Sequence, residues 1–180
     1  VTDGTGIENV GLAVFVDDTL VGELNAIETV CHSIISNKLR TCIISISDPF
    51  NTNSTIDLFV KFKNKTKRKV SIVNGSPYIE CDVSLNSRIL SMNESSKYLD
   101  EEQLNTIALH TNSYLEYQLE NYLYKTAKDF KSDIDNFGKN IVSEFLTIND
   151  WEKFDWLNQY QNSFFKVSVD CKVNSGFLLL

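Results

Sequence analysis

Asp133, Asp135, Gly138 and Glu144 occupy the first, third, sixth and twelfth places of a twelve-residue loop, the spacing at which an EF-hand turns its oxygens onto one calcium ion. The fifth place must also supply an oxygen, and here it is Phe137. A phenyl ring cannot coordinate a hard cation. The apolar pattern from Ile141 through Phe145 lets Gly138 act instead as a bend between two helices. The segment therefore reads as a helix junction, with no metal assigned. Asp17-Asp18 is the other acidic pair that could move a proton or hold a cation. It has no His or third acid beside it, and short carboxylates suit hairpin tips, so it reads as a solvated turn.

The two histidines, His32 and His110, both fall on helical patterns beside apolar stripes, and neither has an identifiable partner. His32 is assigned no role. The chain has no G-x-S-x-G elbow, no local cysteine signature, no phosphate loop and no G-x-G-x-x-G. Cys31, Cys42, Cys81 and Cys171 are scattered without a C-x-x-C pair, whereas tetrahedral zinc sites usually draw ligands from closely spaced pairs. Each cysteine lies on an apolar face and is expected to be a buried free thiol, although an oxidising compartment would permit a disulfide. No catalytic, cofactor-binding or metal residue is assigned, and the chain is expected not to be an enzyme.

Composition bounds the partners. In 180 residues, 17 Lys and Arg stand against 24 Asp and Glu, a net charge of −7, which argues against a surface that tracks nucleic-acid phosphates. Lys63–Lys69 (KNKTKRK) is the one basic cluster. It reads first as a solvated patch at a strand end, with anionic lipid headgroups as the alternative contact for Lys65–Lys69. The longest apolar ending, Phe177–Leu180, is far short of the ~18–20 residues that cross a bilayer. At 42% apolar and 11% aromatic, the chain has enough to bury a core.

The elements that must position these groups follow from periodicity. Val1–Asn9 is polar and Gly-containing, as a linker is, and a start at Val1 suggests excision from a longer precursor. Gly11–Val16 and Thr19–Gly22 flank Asp17-Asp18 as a hairpin. Ala26–Leu39 carries Ile27, Val30, Cys31, Ile34 and Ile35 at helical spacing, with Asn25 and Glu28 placed as a capping box. Cys42–Ile46, Ile56–Phe62, Val70–Val73 and Ile79–Leu85 alternate as strands, with Asn74-Gly75 as a hairpin turn. From Leu104 to Phe130 one apolar stripe predicts a helix on the order of 40 Å long. Two further helices are expected over Asp133–Leu146 and Asp150–Gln159, and Phe165–Val173 alternates as a last half-buried strand. The fold class is α+β: a mostly antiparallel sheet with a long helix and shorter helices packed across it. Residues 1–10 are read as a disordered linker and 11–180 as a single domain.

Three stretches, in order, resemble the C-terminal domain of the Ger(x)C family, the C subunit of bacterial spore germinant receptors. Gly11–Thr29 (GLAVFVDDTLVGELNAIET) is similar to that family's Ala-Val-Phe strand, acidic turn, Leu-Val-Gly, and Glu-Thr pair at a helix start. Lys131–Gly138 (KSDIDNFG) resembles a Lys-Ser-Asp-Ile segment followed by Phe-Gly, with Asp135-Asn136 where members commonly have Phe-Gly. Trp151–Trp156 precedes a Val-alternating strand that closes near Gly176, as in the family.

The resemblance implies a full-length lipoprotein, with a signal peptide and a lipid-modified cysteine ahead of two further domains. It would be anchored at the outer face of the inner spore membrane. There it would work with the integral-membrane A and B receptor subunits in nutrient-triggered germination. It implies no catalytic activity. The alternative reading is a small-molecule sensor that itself holds the germinant, for which Tyr114, Tyr117 and Tyr122 on the long helix are the available aromatics.

Overall fold

The computed structural model describes residues 11–92 and 100–175. The linker reading for Val1–Asn9 and the apolar ending Phe177–Leu180 lie outside the described residues. Leu12–Val16 (β1) and Thr19–Leu24 (β2) form the expected hairpin, a two-stranded sheet of their own, with Asp17 at φ 50° in its turn. The inner face of this hairpin abuts Phe130: a Cβ at Gly22 would run into that ring, so glycine is needed there for close approach.

Ala26–Ile35 forms α1, started by the capping box: the Asn25 side chain accepts from Glu28 N at 2.9 Å, and Glu28 Oε2 accepts from Asn25 N at 2.8 Å. The helix ends at Ser36, short of the expected Leu39, because Asn37 turns left-handed at φ 60°. Its apolar face buries Cys31, Ile34 and Ile35.

The second sheet has the order β3-β4-β5-β6: Cys42–Ser47, Thr55–Val73, Ser76–Met92 and Phe164–Asn174. The first three run antiparallel and β6 runs parallel to β5. Parallel neighbours need a long crossover, and here it is the helical block between them. Asn74 (φ 51°) and Gly75 (φ 83°) make the tight turn between β4 and β5. The cluster Lys63–Lys69 is not at a strand end as expected. It lies inside the 19-residue β4, where register shifts at Phe62/Asn64 and Asn64/Lys67 interrupt the alternation.

Glu101–Lys128 forms α2, capped by Asp100 with Gln103, and it lays Ile107, Thr111, Leu115, Leu119 and Leu123 into the core. Ile56, Leu58, Val60, Ile79, Val83 and Leu85 meet it from the sheet. The long helix and the α+β architecture are as expected.

The two later helices are shorter than their patterns. Gly138–Ile141 (α3) and a 3-10 turn at Val142–Glu144 replace Asp133–Leu146; Ile148–Phe154 (α4) and Trp156–Tyr160 (α5) replace Asp150–Gln159, broken by Asp155 at φ 51°. In β6, Phe165, Val167, Val169, Cys171 and Val173 point inward, as the alternation required.

Candidate functional site

The residues with chemical potential gather first in the interior. Tyr122, on α2, donates its hydroxyl to Asp135 Oδ2 at 2.7 Å, and His32 Nδ1, on α1, lies 3.0 Å from both the Tyr122 hydroxyl and Asp135 Oδ1. His32 thus has the partners that sequence spacing did not reveal. An imidazole beside an acid and a hydroxyl is the outline of nucleophilic machinery. Tyr122 is 1% exposed and Asp135 3%, however, and burial together with the Asp135 charge pushes the Tyr122 phenol well above its usual range. A phenol held neutral and sealed from solvent serves as a hydrogen-bond donor tying α2 to the 133–137 turn.

The calcium-loop lookalike is taken apart by the same packing. Asp133 accepts from Phe137 N (2.9 Å), Gly138 N (2.8 Å) and Trp156 Nε1 (2.8 Å), so its two oxygens hold the start of α3 and the indole. Burial still raises its carboxyl above the ordinary value, against the lowering effect of those bonds. Asp135 faces His32 and Tyr122, while its backbone carbonyl takes a bond from Arg68 at 2.8 Å. Phe137 is fully buried between the Tyr160 ring and the Arg68 guanidinium, and Glu144 is exposed on the 3-10 turn. Gly138 opens α3 rather than joining two helices, and a Cβ there would sit 2.8 Å from Trp156 Nε1, so glycine allows the close approach of the indole. Among the described residues, no group of three or more His, Cys, Asp or Glu is placed to share a metal ion.

The four thiols are free, with Cys31, Cys81 and Cys171 buried and Cys42 half-buried. Burial pushes Cys81 up to about 12 and Cys42 up to about 11, so none is a ready nucleophile near neutral pH. His110 sits half-buried on α2, away from His32, with no partner for its Nδ1 among the described residues. Asp17 and Asp18 are exposed turn residues, as read.

On the surface, the basic cluster is less basic than its sequence. Lys69 pairs with Glu80 at 3.5 Å, Lys63 with Asp170 at 3.4 Å, and Lys67 stands opposite Asp82 in the β4–β5 register. Arg68 is drawn away toward Asp135 and Phe137. What remains is a mixed-sign strand face. No helix among the described residues is long and apolar enough to cross a membrane.

A different patch stands out where α4 begins. Leu146 is 97% exposed and Ile148 76%, and both neighbours are fastened. Phe145 packs against Trp151 (5.2 Å) and Phe154 (5.1 Å), while the Thr147 hydroxyl caps α4 by accepting from Asp150 N and donating to Asp150 Oδ2. Two aliphatic side chains are therefore held out into solvent by a rigid base. Leu146 and Ile148 thus offer a small apolar surface to any partner that meets this end of the molecule.

The remaining surface feature is the finish of the sheet edges. Along β6, Val167 N, Val169 N and Cys171 N donate to Glu120 Oε1 (3.3 Å), Glu116 Oε1 (2.9 Å) and Asn112 Oδ1 (2.9 Å) of α2. Four helical residues rise about 6 Å and two strand residues about 6.6 Å, so side chains at every fourth position of α2 keep step with alternate amides of an adjacent strand.

Comparison with known proteins agrees with this architecture. A crystal structure of the GerBC protein superposes with a TM-score of 0.70 at 20% identity, covering 87% of this chain and 48% of that one. The chain thus spans about half the length of that protein, and the likeness speaks to the fold. No curated protein matches by sequence. The family model for the spore germination B3/GerAC-like C-terminal region matches residues 10–176. Since that match takes in nearly all of the sequence, the chain belongs to the spore germination B3/GerAC-like C-terminal family.

Proposed function

We propose that this chain is a non-catalytic docking domain of a germinant-receptor C subunit, contacting the membrane-embedded A and B subunits during nutrient-triggered germination. The observation that favours docking is the Leu146–Ile148 protrusion: two aliphatic side chains, 97% and 76% exposed, on a base already ordered by Phe145 and Thr147. Preorganisation of this kind removes most of the ordering cost of binding. The interior polar groups favour a non-enzymatic role, since Tyr122, Asp135 and Asp133 are engaged with one another, with His32 and with backbone amides beneath the surface.

The family resemblance supports the wider setting, a lipid-anchored full-length protein at the outer face of the inner spore membrane. Of the three tyrosines first offered for the sensor alternative, Tyr114 alone lines a groove, between α1 and β3. Tyr122 is sealed against Asp135, and Tyr117 stands 65% exposed on the outer face of α2.

The test is made in spores carrying the full-length C subunit. Leu146→Glu with Ile148→Glu is expected to abolish co-purification with the A and B subunits and to slow nutrient-triggered germination at least tenfold. Deleting the whole region should do the same. An unchanged nutrient response after the deletion would reject the reading.

A further inference from the structure

The edge of the sheet opposite β6 is finished in another way. Natural edge strands are usually protected by a charge, a proline, a bulge or a covering element. Cys42–Ser47 (CIISIS) has no charge and no proline, and its register against β4 is unbroken over all six residues. Among the described residues, no strand pairs with its outer edge. That edge borders a groove of about 620 Å³ between β3 and α1, lined by Ile27, Val30, Leu39, Cys42 and Tyr114. Thr29 also lines it. This residue is 3% exposed, and its hydroxyl has no hydrogen-bond partner among the described residues.

The Thr29 oxygen is itself sealed from solvent, so the groove's recognition rests on its apolar walls and on the backbone edge of β3. Lys38 and Arg40, both exposed, flank Leu39 at the end of the groove where β3 begins.

We propose that the β3 edge and the α1–β3 groove take an extended segment of a receptor partner protein as an added strand. The proposal rests on the docking reading above and names the surface and the chemistry. Backbone groups of the incoming segment pair with the outer edge of β3. Its alternate side chains are apolar and enter the groove over Val30, Leu39 and Tyr114. An Asp or Glu on the segment lies beside Lys38 and Arg40, which orients it and steers its approach more than it adds affinity.

The experiment uses the full-length C subunit in spores, with a benzophenone amino acid at position 43 and, in a parallel strain, at position 146. Irradiation is expected to give an adduct from position 43 with one short segment of the A or B subunit, identified by peptide mass. Val30→Arg, which puts a charge into a half-buried groove wall, should lower the yield at least tenfold. Lys38→Glu with Arg40→Glu, two exposed positions that leave the fold intact, should lower it severalfold.

Receptor adducts from position 146 with none from position 43 would overturn this proposal and leave the docking reading standing; adducts from neither would overturn both. Adducts from position 43 that join it to this chain itself, to a second copy or to lipid would also overturn it. So would a yield unchanged by both sets of substitutions. A nutrient amino acid that raises the melting temperature of the full-length C subunit, with the rise lost in Val30→Arg, would make the groove a small-molecule site instead.

Discussion

At one edge of the four-stranded sheet, β6 turns three amides toward α2, and each meets a side-chain oxygen from Asn112, Glu116 or Glu120. At the other, β3 borders a groove walled in part by Ile27, Val30, Leu39 and Tyr114, and no described strand continues the sheet. Both strands bury alternate residues on the same helix-covered face, so the contrast lies in the backbone and not in the core. An unpaired strand edge is a template for further strands. A chain that closes one edge of this sheet with its own helix and leaves the six-residue strand at the other edge uncharged leaves only that side open to strand addition among the described residues. The comparison separates what the fold needs for itself from what it presents to others.

The largest effect should come from opening the closed edge. Replacing Asn112, Glu116 and Glu120 together by Ala removes three acceptors, two of them carboxylates, and is expected to lower the unfolding free energy by about 3.5–7.5 kcal/mol, since net hydrogen bonds run about 0.5–1.5 kcal/mol and charged ones about 1.5–3. Urea unfolding followed by circular dichroism measures it. A loss under 1 kcal/mol would show that water replaces those side chains freely and that the edge was never closed.

Next in size is the difference between two cysteines on the opposed edge strands. Cys42 on β3 is half-buried and raised to about 11, whereas Cys171 on β6 is buried, with its thiol 3.5 Å from the Ser87 hydroxyl. A two-unit rise from the ordinary 9.0 leaves about a hundredfold less thiolate, so iodoacetamide at pH 8 should label Cys42 about a hundredfold more slowly than a free thiol. Cys171 should be labelled only as the chain unfolds. Equal rates at the two sites, read by peptide mass spectrometry, would erase the distinction between the edges.

How much of this could be read in advance depended on the range of the interaction. The Asp17 turn, the Asn25–Glu28 box, the Asn74-Gly75 turn and the alternation of β6 are set within a few residues, and each stands where its pattern put it. Helix α2 was legible because 28 residues of one period outvote local noise. The strand through Lys63–Lys69 was not, because two register shifts destroy the period-two signal in a segment of lysines. Asp133–Leu146 read as one helix, but Lys131 and Asn136 adopt positive φ and Asp133 bonds the amides of Phe137 and Gly138.

The His32–Tyr122–Asp135 cluster joins residues up to about a hundred positions apart, and proximity of that kind is made by packing alone. One signal was present and unused. Asn112, Glu116 and Glu120 lie four apart, beside the buried stripe of Thr111, Leu115 and Leu119, where a polar row at helical spacing has something polar to meet.

A smaller effect should appear in acid. Asp57, on β4 opposite Ser45 of β3, accepts from the Ser45 and Ser91 hydroxyls at 2.6 Å each, and these two bonds hold its carboxyl below the ordinary 3.8. A carboxyl whose folded value is depressed contributes stability above the unfolded value and loses it as the pH falls through the folded one. Urea midpoints should therefore drop below about pH 4, and Asp57→Asn should flatten that part of the profile without changing the plateau near neutrality. Asp133 has the opposite sign: its raised value means that its contribution is present below 3.8 and lost as the pH rises through the folded value. A profile unchanged in Asp57→Asn would show that β3 is not fastened to β4 through this carboxylate.

The smallest expected effect tests the open edge directly. Ile43 is 62% exposed on the face of β3 away from the helices, opposite Phe59 of β4. Lysine keeps most of the aliphatic contact along its stem and places its charge in water. If the outer edge of β3 is free in the isolated chain, Ile43→Lys disturbs no pairing and should change stability by no more than about 0.5 kcal/mol, the usual range for surface substitutions. Lysine on an edge strand discourages the addition of another, so the same variant should bind the receptor partner more weakly while unfolding at nearly the same urea concentration. That separation of binding from stability is what a presented edge predicts. A loss above about 2 kcal/mol in the isolated chain would mean that the chain already uses this edge to hold itself together, because a surface position costs that much only when packing or pairing depends on it.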